Sequence, residues 1–321
     1  MGSSQASAIC LKALLREKSL DVVGVVTQPD RPVGRGKVLT PCPCAQFAQD
    51  SGIKEIIKPE NVNAPEAISV IRAWKADVIA VVAFGQFLKK ELLKMPLFGC
   101  INCHFSLLPK YRGASPVVAA LAAGDKITGV SVMKMGEGMD DGPILKQAYE
   151  PIYSDVTGGQ LMDYLSISGG VTLATTLVRL GSNQLPPPVA QNNSDATYAH
   201  KLKKTDGLIN WDETTLVIER KIRAYFPWPG CYSFLPQRFR RKGSTGRVGV
   251  LRARFAKILP EWIGATPGTV LALDKDGPIV KTHDTALVLT ELKPEGGSAM
   301  TGSAFLRGRQ LIPFEDMLLM E

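Results

Sequence analysis

The fold of this chain is decided by the stretch Gly99-Cys100-Ile101-Asn102-Cys103-His104-Phe105-Ser106-Leu107-Leu108-Pro109-Lys110-Tyr111-Arg112-Gly113. Its first five residues read as a short strand, and an apolar run over 78–83 precedes them. Side chains alternate between the two faces of a strand, so Asn102 and His104 point the same way. Because ligands bind where the strands of a parallel sheet end, we expect this pair to face a binding crevice.

An amide beside an imidazole suits chemistry at a carbonyl group. The amide can stabilise negative charge on the oxygen, and the imidazole can move a proton. A carboxylate from a later loop could orient the ring, and the segment Gly138-Met139-Asp140-Asp141-Gly142-Pro143 offers two. The candidate catalytic residues are therefore Asn102 and His104, together with one of the two carboxylates, Asp140 or Asp141.

The first half of the chain alternates apolar runs with helical patterns. The predicted helices cover 6–15, 65–75, 114–123 and 156–180, and the predicted strands cover 20–27, 77–83, 99–103, 129–135 and 144–150. Such alternation predicts an α/β domain with a doubly wound, mostly parallel, Rossmann-like sheet. This domain is expected over 1–183.

A proline-rich segment follows, Leu185-Pro186-Pro187-Pro188-Val189, and it predicts a stiff linker over 184–204. A second domain is expected over 205–321. After one helix at 214–224, its short runs separated by Gly and Pro indicate a small all-β unit, with clear strands at 267–272 and 286–290. Trp211 and Trp228 are expected in its core, with base stacking as the alternative.

The composition is that of a globular protein, with 45% hydrophobic and 21% charged residues in 321. No apolar run reaches the ~18 residues that span a bilayer, so no membrane is expected. The start shows no secretory signal. The six cysteines fit reduced thiols in a cytoplasm. Cys100 and Cys103 form a lone CxxC without a second pair, so no metal site is expected.

The positive charge is concentrated in the last third of the chain. The net charge is +8, and residues 201–321 carry 19 Lys and Arg against 13 Asp and Glu, which is +6 of that total. A basic C-terminal part indicates an acidic partner, with nucleic acid as the first candidate and an ordinary solvated surface as the alternative.

The pattern Asn-x-His, Ser-Leu-Leu-Pro and Met-Asp-x-Gly-Pro resembles the formyltransferases that use 10-formyltetrahydrofolate. Three further segments, at 27–37, 198–211 and 223–230, are similar to the branch of that family that acts on methionyl-tRNA. The resemblance runs from about residue 2 to about residue 309. It implies transfer of the formyl group from this folate co-substrate to the α-amine of methionyl initiator tRNA, by a monomer in a cytoplasm of bacterial type. An organelle is the alternative location if an N-terminal segment has been lost.

Alignment with the family on Gly142-Pro143 favours Asp140 over Asp141 as the catalytic carboxylate, and the resemblance also implies further site residues. Two loops would line the folate site, with the residues Phe84, Gly85, Gln86, Phe87, Ser106, Leu107, Leu108 and Pro109. Two basic segments would contact tRNA, with the residues Arg31, Arg35, Lys37, Lys201, Lys203 and Lys204. For the first of these basic segments, the alternative is an ordinary exposed loop that does not contact tRNA. The C-terminal part would be a β-barrel of the oligonucleotide-binding type.

The chain departs from the family at its start, where an apolar strand would precede the turn at Gly2. We expect this first, central strand to be missing, which would leave two buried sheet edges unpaired. Three other functions stay open: a small-molecule formyltransferase acting on glycinamide ribotide or an amino sugar, a formyl-folate hydrolase, and a truncated paralogue that binds RNA or folate without turnover.

Overall fold

The computed structural model describes residues 1–34, 36–240 and 243–319. They divide into two units. The first unit comprises Met1–Pro116, Lys126–Pro151 and Leu161–His200, and the second comprises Val117–Asp125, Ile152–Gln160 and Lys201–Glu321. The chain therefore crosses between the units more often than a simple two-domain order requires. The domain limits expected from the sequence stay predictions.

The elements are named in chain order. The helices are α1 (Gln5–Arg16), α2 (Pro43–Asp50), α3 (Pro65–Ala73), α4 (Lys90–Lys94), α5 (Pro116–Ala123), α6 (Gly158–Gly181), α7 (Thr215–Ala224) and α8 (Gly302–Arg307). The strands are β1 (Val25–Val26), β2 (Arg31–Val33), β3 (Val38–Thr40), β4 (Ile56–Ile57), β5 (Ile79–Val81), β6 (Cys100–His104), β7 (Arg112–Gly113), β8 (Ile127–Lys134), β9 (Ile144–Pro151), β10 (Tyr198–Ala199), β11 (Cys231–Phe234), β12 (Arg247–Phe255), β13 (Val270–Asp274), β14 (Gly277–Lys281), β15 (Ala286–Pro294) and β16 (Met300–Thr301).

The first unit is built on a mixed sheet with the order β5-β6-β8-β9 and on a separate parallel pair, β1-β4. The β5-β6 pair is parallel, whereas β6-β8 and β8-β9 are antiparallel. The expectation of a mostly parallel sheet is therefore only partly met. The short loop between β8 and β9 accounts for the direction of that pair, because a parallel pair needs a crossover of about a dozen or more residues.

Met1 and Gly2 lie between the two parallel pairs. The Gly2 nitrogen donates to the Val26 oxygen (3.0 Å), and the Val82 nitrogen donates to the Met1 oxygen (2.9 Å). Beside them is a cavity of about 750 Å³, lined mainly by apolar side chains such as Leu11 and Trp74. In the part of the chain that the structure describes, Met1, Gly2 and this cavity lie between β1 and β5, where the family's first strand was expected to be missing.

Helix α6 is the longest helix of the described chain, at 24 residues. By length and composition alone it could cross a membrane, yet half of its most apolar window is buried inside the protein. Leu161, Leu165 and Leu173 are almost fully buried on it. This pattern is that of a helix packed against a core, and it accounts for the apolar run without a bilayer.

The second unit is built on an antiparallel sheet with the order β11-β12-β15-β14-β13, to which β16 adds beside β15. The segment 316–319 hydrogen-bonds to both ends of this order. The Leu318 nitrogen donates to the Gly268 oxygen (2.9 Å), and the Leu319 nitrogen donates to the Phe234 oxygen (2.8 Å). A single segment therefore joins the two edge regions of the sheet, which leaves fewer unpaired backbone groups at its edges.

The core of the second unit contains Trp211, which is 1% exposed and donates from Nε1 to the Ser233 hydroxyl (3.0 Å). Its expected place in the core is confirmed. Trp228 is 51% exposed, so the same expectation is wrong for it. The residues Pro227 and Pro229 on either side restrict the local backbone, and the segment keeps the Trp228 ring at the surface.

All six cysteines are free. Five are buried, and Cys42 is half-buried. Burial raises the pKa of the thiols of Cys44 to about 11, of Cys100 to about 12 and of Cys231 to about 12. A thiol with so high a pKa is almost entirely protonated at neutral pH and is a poor nucleophile. These residues act as small core side chains.

Candidate active site

Strand β6 presents two buried polar side chains on one face. Asn102 is 9% exposed and His104 is 6% exposed, although both lie in a strand whose other residues are apolar or cysteine. Their spacing of two residues places them together, as strand geometry requires. Burying an amide and an imidazole is costly unless they find polar partners, so the partners identify what this face is built to do.

The loop between β8 and β9 brings Asp140 to this pair. Asn102 Nδ2 lies 3.4 Å from Asp140 Oδ1, and His104 Nδ1 lies 3.6 Å from Asp140 Oδ2. The Gly113 nitrogen donates to the same Oδ2 at 2.8 Å. The structure therefore gathers the three predicted catalytic residues in one cluster. The competing Asp141 is exposed.

Asp140 is held in an unfavourable backbone conformation. Its φ is +48°, in the left-handed region that residues with a Cβ seldom adopt. Such a conformation costs on the order of 1 kcal/mol or more and persists only where the surroundings enforce it. In this conformation the Asp140 carboxylate lies beside Asn102 and His104 of β6.

The ring orientation of His104 follows from its second contact. Nε2 lies 2.9 Å from the carbonyl oxygen of Tyr111. A carbonyl oxygen only accepts, so Nε2 carries the proton and donates. Nδ1 is then the ring atom that can take up a second proton, and it faces the Asp140 carboxylate. The separation of 3.6 Å between His104 Nδ1 and Asp140 Oδ2 is too long for a direct hydrogen bond but lies within the distance of an ion pair, which is at most about 4 Å.

The loop after β5 holds the first set of predicted cofactor residues. Phe84 is 3% exposed, and its side chain is part of the core. The Gln86 side chain is also engaged, since it accepts from the Val62 nitrogen (2.7 Å) and donates to the Pro59 oxygen (3.0 Å). Gly85 is exposed with φ +83°, and Phe87 is 68% exposed. These two residues present exposed groups that a planar ligand could contact.

The loop after β6 holds the second set, and a buried serine organises it. Ser131 Oγ donates to the Ser106 oxygen (2.7 Å) and accepts from the Leu108 nitrogen (3.0 Å) and from Gln147 Nε2 (2.9 Å). Ser106 and Leu108 are buried, whereas Leu107 and Pro109 are partly exposed. Because β5 and β6 are parallel neighbours, the two loops leave the sheet at the same edge.

Two residues of the site were missed by the sequence reading, Arg112 and Gln191. Gln191 was assigned to the linker, yet its side chain reaches the Asp140 loop and donates to the oxygens of Asp140 (2.8 Å) and Gly142 (2.7 Å). The linker is tied to the first unit by β10, which pairs in parallel with β7. The sequence signal for Gln191 is the run of amides Gln191-Asn192-Asn193, which begins three residues after the last proline of the linker, Pro188.

The basic segment near the N-terminus forms a hairpin of β2 and β3, whose residues are all exposed. Arg31 pairs with Glu60 at 2.9 Å on the surface, and Lys37 has φ +48°. Arg35 lies outside the described residues. Val38 and Leu39 are 66% and 68% exposed, so the hairpin combines positive charge with apolar side chains in water.

The second predicted basic set is exposed as well, with Lys201 and Lys203 preceding a short 3₁₀ turn that begins at Lys204. No metal site was expected. Within residues 1–34, 36–240 and 243–319, no group of three or more His, Cys, Asp and Glu side chains is arranged to hold a metal ion. That expectation stays a prediction, and so do the roles of the lysines.

Comparison with known families shows two matches that together cover most of the chain. The model described as "Formyl transferase" matches residues 1–176, and the model described as "Formyl transferase, C-terminal domain" matches residues 201–310. The methionyl-tRNA formyltransferase of Marinobacter nauticus is 38% identical over 318 residues, which are 98% of this chain and 98% of that protein. The methionyl-tRNA formyltransferase of Acidithiobacillus ferrooxidans is 40% identical over 307 residues, 96% of this chain and 94% of that protein.

Among solved structures, similar chains are more distant. A sugar 3N-formyl transferase, WlaRD, crystallised with dTDP and 5-N-formyl-THF, has a TM-score of 0.61 at 19% identity and covers 89% of this chain and 94% of its own. An N-formyltransferase from Helicobacter canadensis has a TM-score of 0.60 at 17% identity, covering 90% and 96%. At these identities the likeness shows a shared fold.

Proposed function

Because this chain belongs to the formyl transferase family, we propose that it transfers the formyl group of 10-formyltetrahydrofolate to the α-amine of methionyl initiator tRNA. The relatives that carry this activity in their names match it over nearly their whole length. The observation that carries the proposal within the structure is the cluster of Asn102, His104 and Asp140 at the end of β6. An amide, an imidazole and a carboxylate are the groups that acyl transfer to an amine needs.

The residues present fit the folate co-substrate. Gly85 exposes its backbone at the sheet edge, and a residue with φ +83° and no side chain lets a flat ring come close. Phe87, Leu107 and Pro109 complete the surface that would hold it, while Phe84 and Ser106 support the loops from inside. When bound, 10-formyltetrahydrofolate supplies an electrophilic formyl carbon.

The roles of the three catalytic residues follow from their contacts. His104 keeps its Nε2 proton on the Tyr111 oxygen, so Nδ1 would accept the proton that the attacking amine must lose. Asp140 stabilises the positive charge that then forms on the ring. His104 would then return this proton to the folate nitrogen, which leaves as the amine of tetrahydrofolate when its bond to the formyl carbon breaks. Asn102 has two N–H groups on Nδ2. One is directed at Asp140, and the other donates to the oxygen on which negative charge develops.

Recognition of tRNA rests on the basic segments. The β2-β3 hairpin with Arg31, Arg35 and Lys37 contacts the acceptor end, and Lys201, Lys203 and Lys204 contact phosphates. Exposure of the described members of both sets supports this assignment. The second unit is a barrel of the oligonucleotide-binding type, an interpretation supported by the segment 316–319 that joins both sheet edges.

The remaining proposals concern the setting of the enzyme. The first unit is a doubly wound α/β domain in which Met1 and Gly2 occupy the place of a central strand. The protein acts in a cytoplasm of bacterial type, since the compared relatives are bacterial translation enzymes. A monomer is expected, and size-exclusion chromatography with light scattering measures this directly.

Substrate competition tests the proposed function. The full chain is incubated with 10-formyltetrahydrofolate and, in separate reactions, methionyl initiator tRNA, glycinamide ribotide, a nucleotide-linked amino sugar, or no acceptor. We expect formylation of the charged tRNA. Faster transfer to a small acceptor, or release of formate without one, would contradict the proposal and favour the small-molecule or hydrolytic function.

Substitution of His104 tests the mechanism. His104→Ala should lower kcat by roughly 10²–10⁴, the usual contribution of a positioned proton-transfer group. The matched control is His283→Ala, because the His283 side chain is 61% exposed and pairs with the exposed Asp212. A folded His104→Ala protein whose turnover stayed within tenfold of the unaltered enzyme would refute the role of His104.

A further inference from the structure

The side chain of Gln191 connects Arg112 to the backbone of the loop that carries the candidate carboxylate, Asp140. Its Oε1 accepts from Arg112 Nε (3.1 Å) and Arg112 Nη2 (2.8 Å). Its Nε2 donates to the carbonyl oxygens of Asp140 (2.8 Å) and Gly142 (2.7 Å). All four contacts lie within the hydrogen-bond range, so both ends of the Gln191 amide are fully used.

Arg112 determines which way the Gln191 amide is turned. A guanidinium only donates, so the atom facing Arg112 must be the Gln191 oxygen, and the nitrogen must face the Asp140 loop. Arg112 is 3% exposed. In the part of the chain that the structure describes, its side chain has no carboxylate partner and is instead paired with the amide oxygens of Gln191 and Asn193 (2.9 Å). A buried cation held by neutral groups is costly, which argues for a specific task.

That task lies at Asp140, where the backbone is strained. Asp140 has φ +48°, and Gln191 binds the carbonyl oxygens of Asp140 itself and of Gly142, two residues on. These two hydrogen bonds hold the carbonyl groups at both ends of the segment 140–142. They therefore restrain the direction in which the Asp140 carboxylate leaves the backbone. The neighbour of Arg112, Gly113, binds the carboxylate directly through its nitrogen (2.8 Å).

We propose that Gln191, oriented by Arg112, is a positioning residue that holds the Asp140 loop in its strained conformation and so keeps the Asp140 carboxylate beside His104 and Asn102. The proposal rests on the proposed function of Asp140. Gln191 touches no reacting atom and acts only through the loop. A displacement of about 1 Å in a catalytic group can cost on the order of 10² in rate, so the loss of this restraint is measurable.

The decisive variant is Gln191→Glu, which keeps the shape of the side chain and its pairing with Arg112. It removes both N–H donors and places a carboxylate oxygen against two carbonyl oxygens. We expect kcat for formyl transfer to fall on the order of 10²-fold. The KM values for the folate and for charged tRNA should change less than threefold. The matched control is Gln184→Glu, an exposed glutamine of the same unit, which should change neither.

A double-mutant cycle separates positioning from general damage to the fold. In the Asp140→Asn background, Gln191→Glu should lower the residual rate by less than threefold, because there is no carboxylate left to position. A purely structural role would lower kcat equally in both backgrounds, and that result would overturn the proposal. Gln191→Met, which keeps the length of the side chain without any hydrogen bond, guards against an artefact of the introduced charge, and should lower kcat alike.

The role of Asp140 in the proposed function and the positioning role of Gln191 are refuted by different results. If Asp140→Asn alone retains near-normal turnover, the role of Asp140 in the proposed function is wrong, and the positioning role falls with it. If Asp140→Asn strongly lowers kcat to a small residual rate while Gln191→Glu leaves kcat within threefold in a protein of unchanged melting temperature, the proposed function stands and only the role of Gln191 is refuted.

Discussion

Removal of one hydroxyl, in Ser131→Ala, should destabilise the first unit and loosen the loop after β6. Ser131 is 0% exposed, and its Oγ accounts for a hydrogen bond to the Ser106 oxygen and one from the Leu108 nitrogen. Alanine leaves both backbone groups buried and without this partner. Gln147 Nε2 keeps its bond to the Leu108 oxygen (3.0 Å), so it is not orphaned.

The magnitude follows from two orphaned groups. Each buried, unsatisfied donor or acceptor costs ~1–3 kcal/mol, so the free energy of unfolding should fall by about 4 kcal/mol. For a domain of this size each kcal/mol corresponds to ~2–4 °C, which predicts a decrease in melting temperature of about 8–16 °C. The volume lost is a single oxygen atom, so a cavity adds little.

Thermal and urea unfolding, followed by circular dichroism, measure this change. The control is Ser19→Ala, since the Ser19 residue is exposed. Below the transition, the KM for 10-formyltetrahydrofolate should also rise in Ser131→Ala, because Leu107 and Pro109 sit on the loop that Ser131 holds. A melting temperature within about 3 °C of that of the unaltered protein would refute the predicted cost of leaving the Ser106 oxygen and the Leu108 nitrogen without a hydrogen-bond partner.

Three other substitutions have defined outcomes. In Gly142→Ala the new Cβ would lie 1.8 Å from the Lys134 oxygen. The Asp140 loop must then move, with a loss of ~1–3 kcal/mol by urea unfolding and a lower kcat. Burial acts to raise the pKa of Asp284. The hydrogen bonds that its carboxylate accepts from Thr215 and from the Thr285 nitrogen outweigh this effect and hold the pKa at about 2. This lies below the ordinary value of ~3.9, so Asp284 stabilises the fold above pH ~4 and loses that effect as the pH falls towards 2. Thermal melts of Asp284→Asn should therefore differ from the unaltered protein more at pH 6 than at pH 3. In Arg35→Ala, kcat/KM for charged tRNA should fall roughly 5- to 150-fold, equivalent to ~1–3 kcal/mol, with the folate KM unchanged.

Controls for these variants come from the same chain. Gly181→Ala adds a Cβ that meets nothing within 4 Å, so it should leave stability and rate unchanged. Arg16→Ala removes an exposed arginine from the last turn of α1 and tests whether any lost positive charge weakens tRNA use. A neutral Gly142→Ala, a constant difference between pH 3 and pH 6 for Asp284→Asn, or equal effects of the two arginine substitutions would each contradict the corresponding prediction.

Two members of the candidate catalytic cluster could be predicted from the sequence because they are close together along the chain. Asn102 and His104 are two residues apart on a strand, and strand periodicity alone places them on one face. The pattern of apolar residues along the sequence also predicted α3 and β6 to within a few residues, as it did most of the longer elements of the first half. Asp140 was reached through the resemblance to a family, because its distance along the chain carries no geometric information.

Other parts of the structure carry no local signal. The β2-β3 hairpin is fully exposed, so no alternation of apolar and polar residues marks it. Strand direction is also invisible to periodicity, which is why the antiparallel β8 was expected in a mostly parallel sheet. Gln191 and Arg112 are 79 residues apart, and their contact depends on how the linker folds back along β7. Contacts of this kind are set by tertiary packing.

The buried thiols give the molecule a set of internal reporters. Cys231 belongs to the second unit, while Cys44 and Cys100 belong to the first. Since burial keeps all three protonated and shielded, a thiol-specific reagent can modify them only when the surrounding region transiently opens. Mass spectrometry of peptides after timed labelling would then yield a separate opening free energy for each unit of the unaltered protein. The cavity beside Gly2 lies next to Cys44, so that residue would register motions of the gap between β1 and β5.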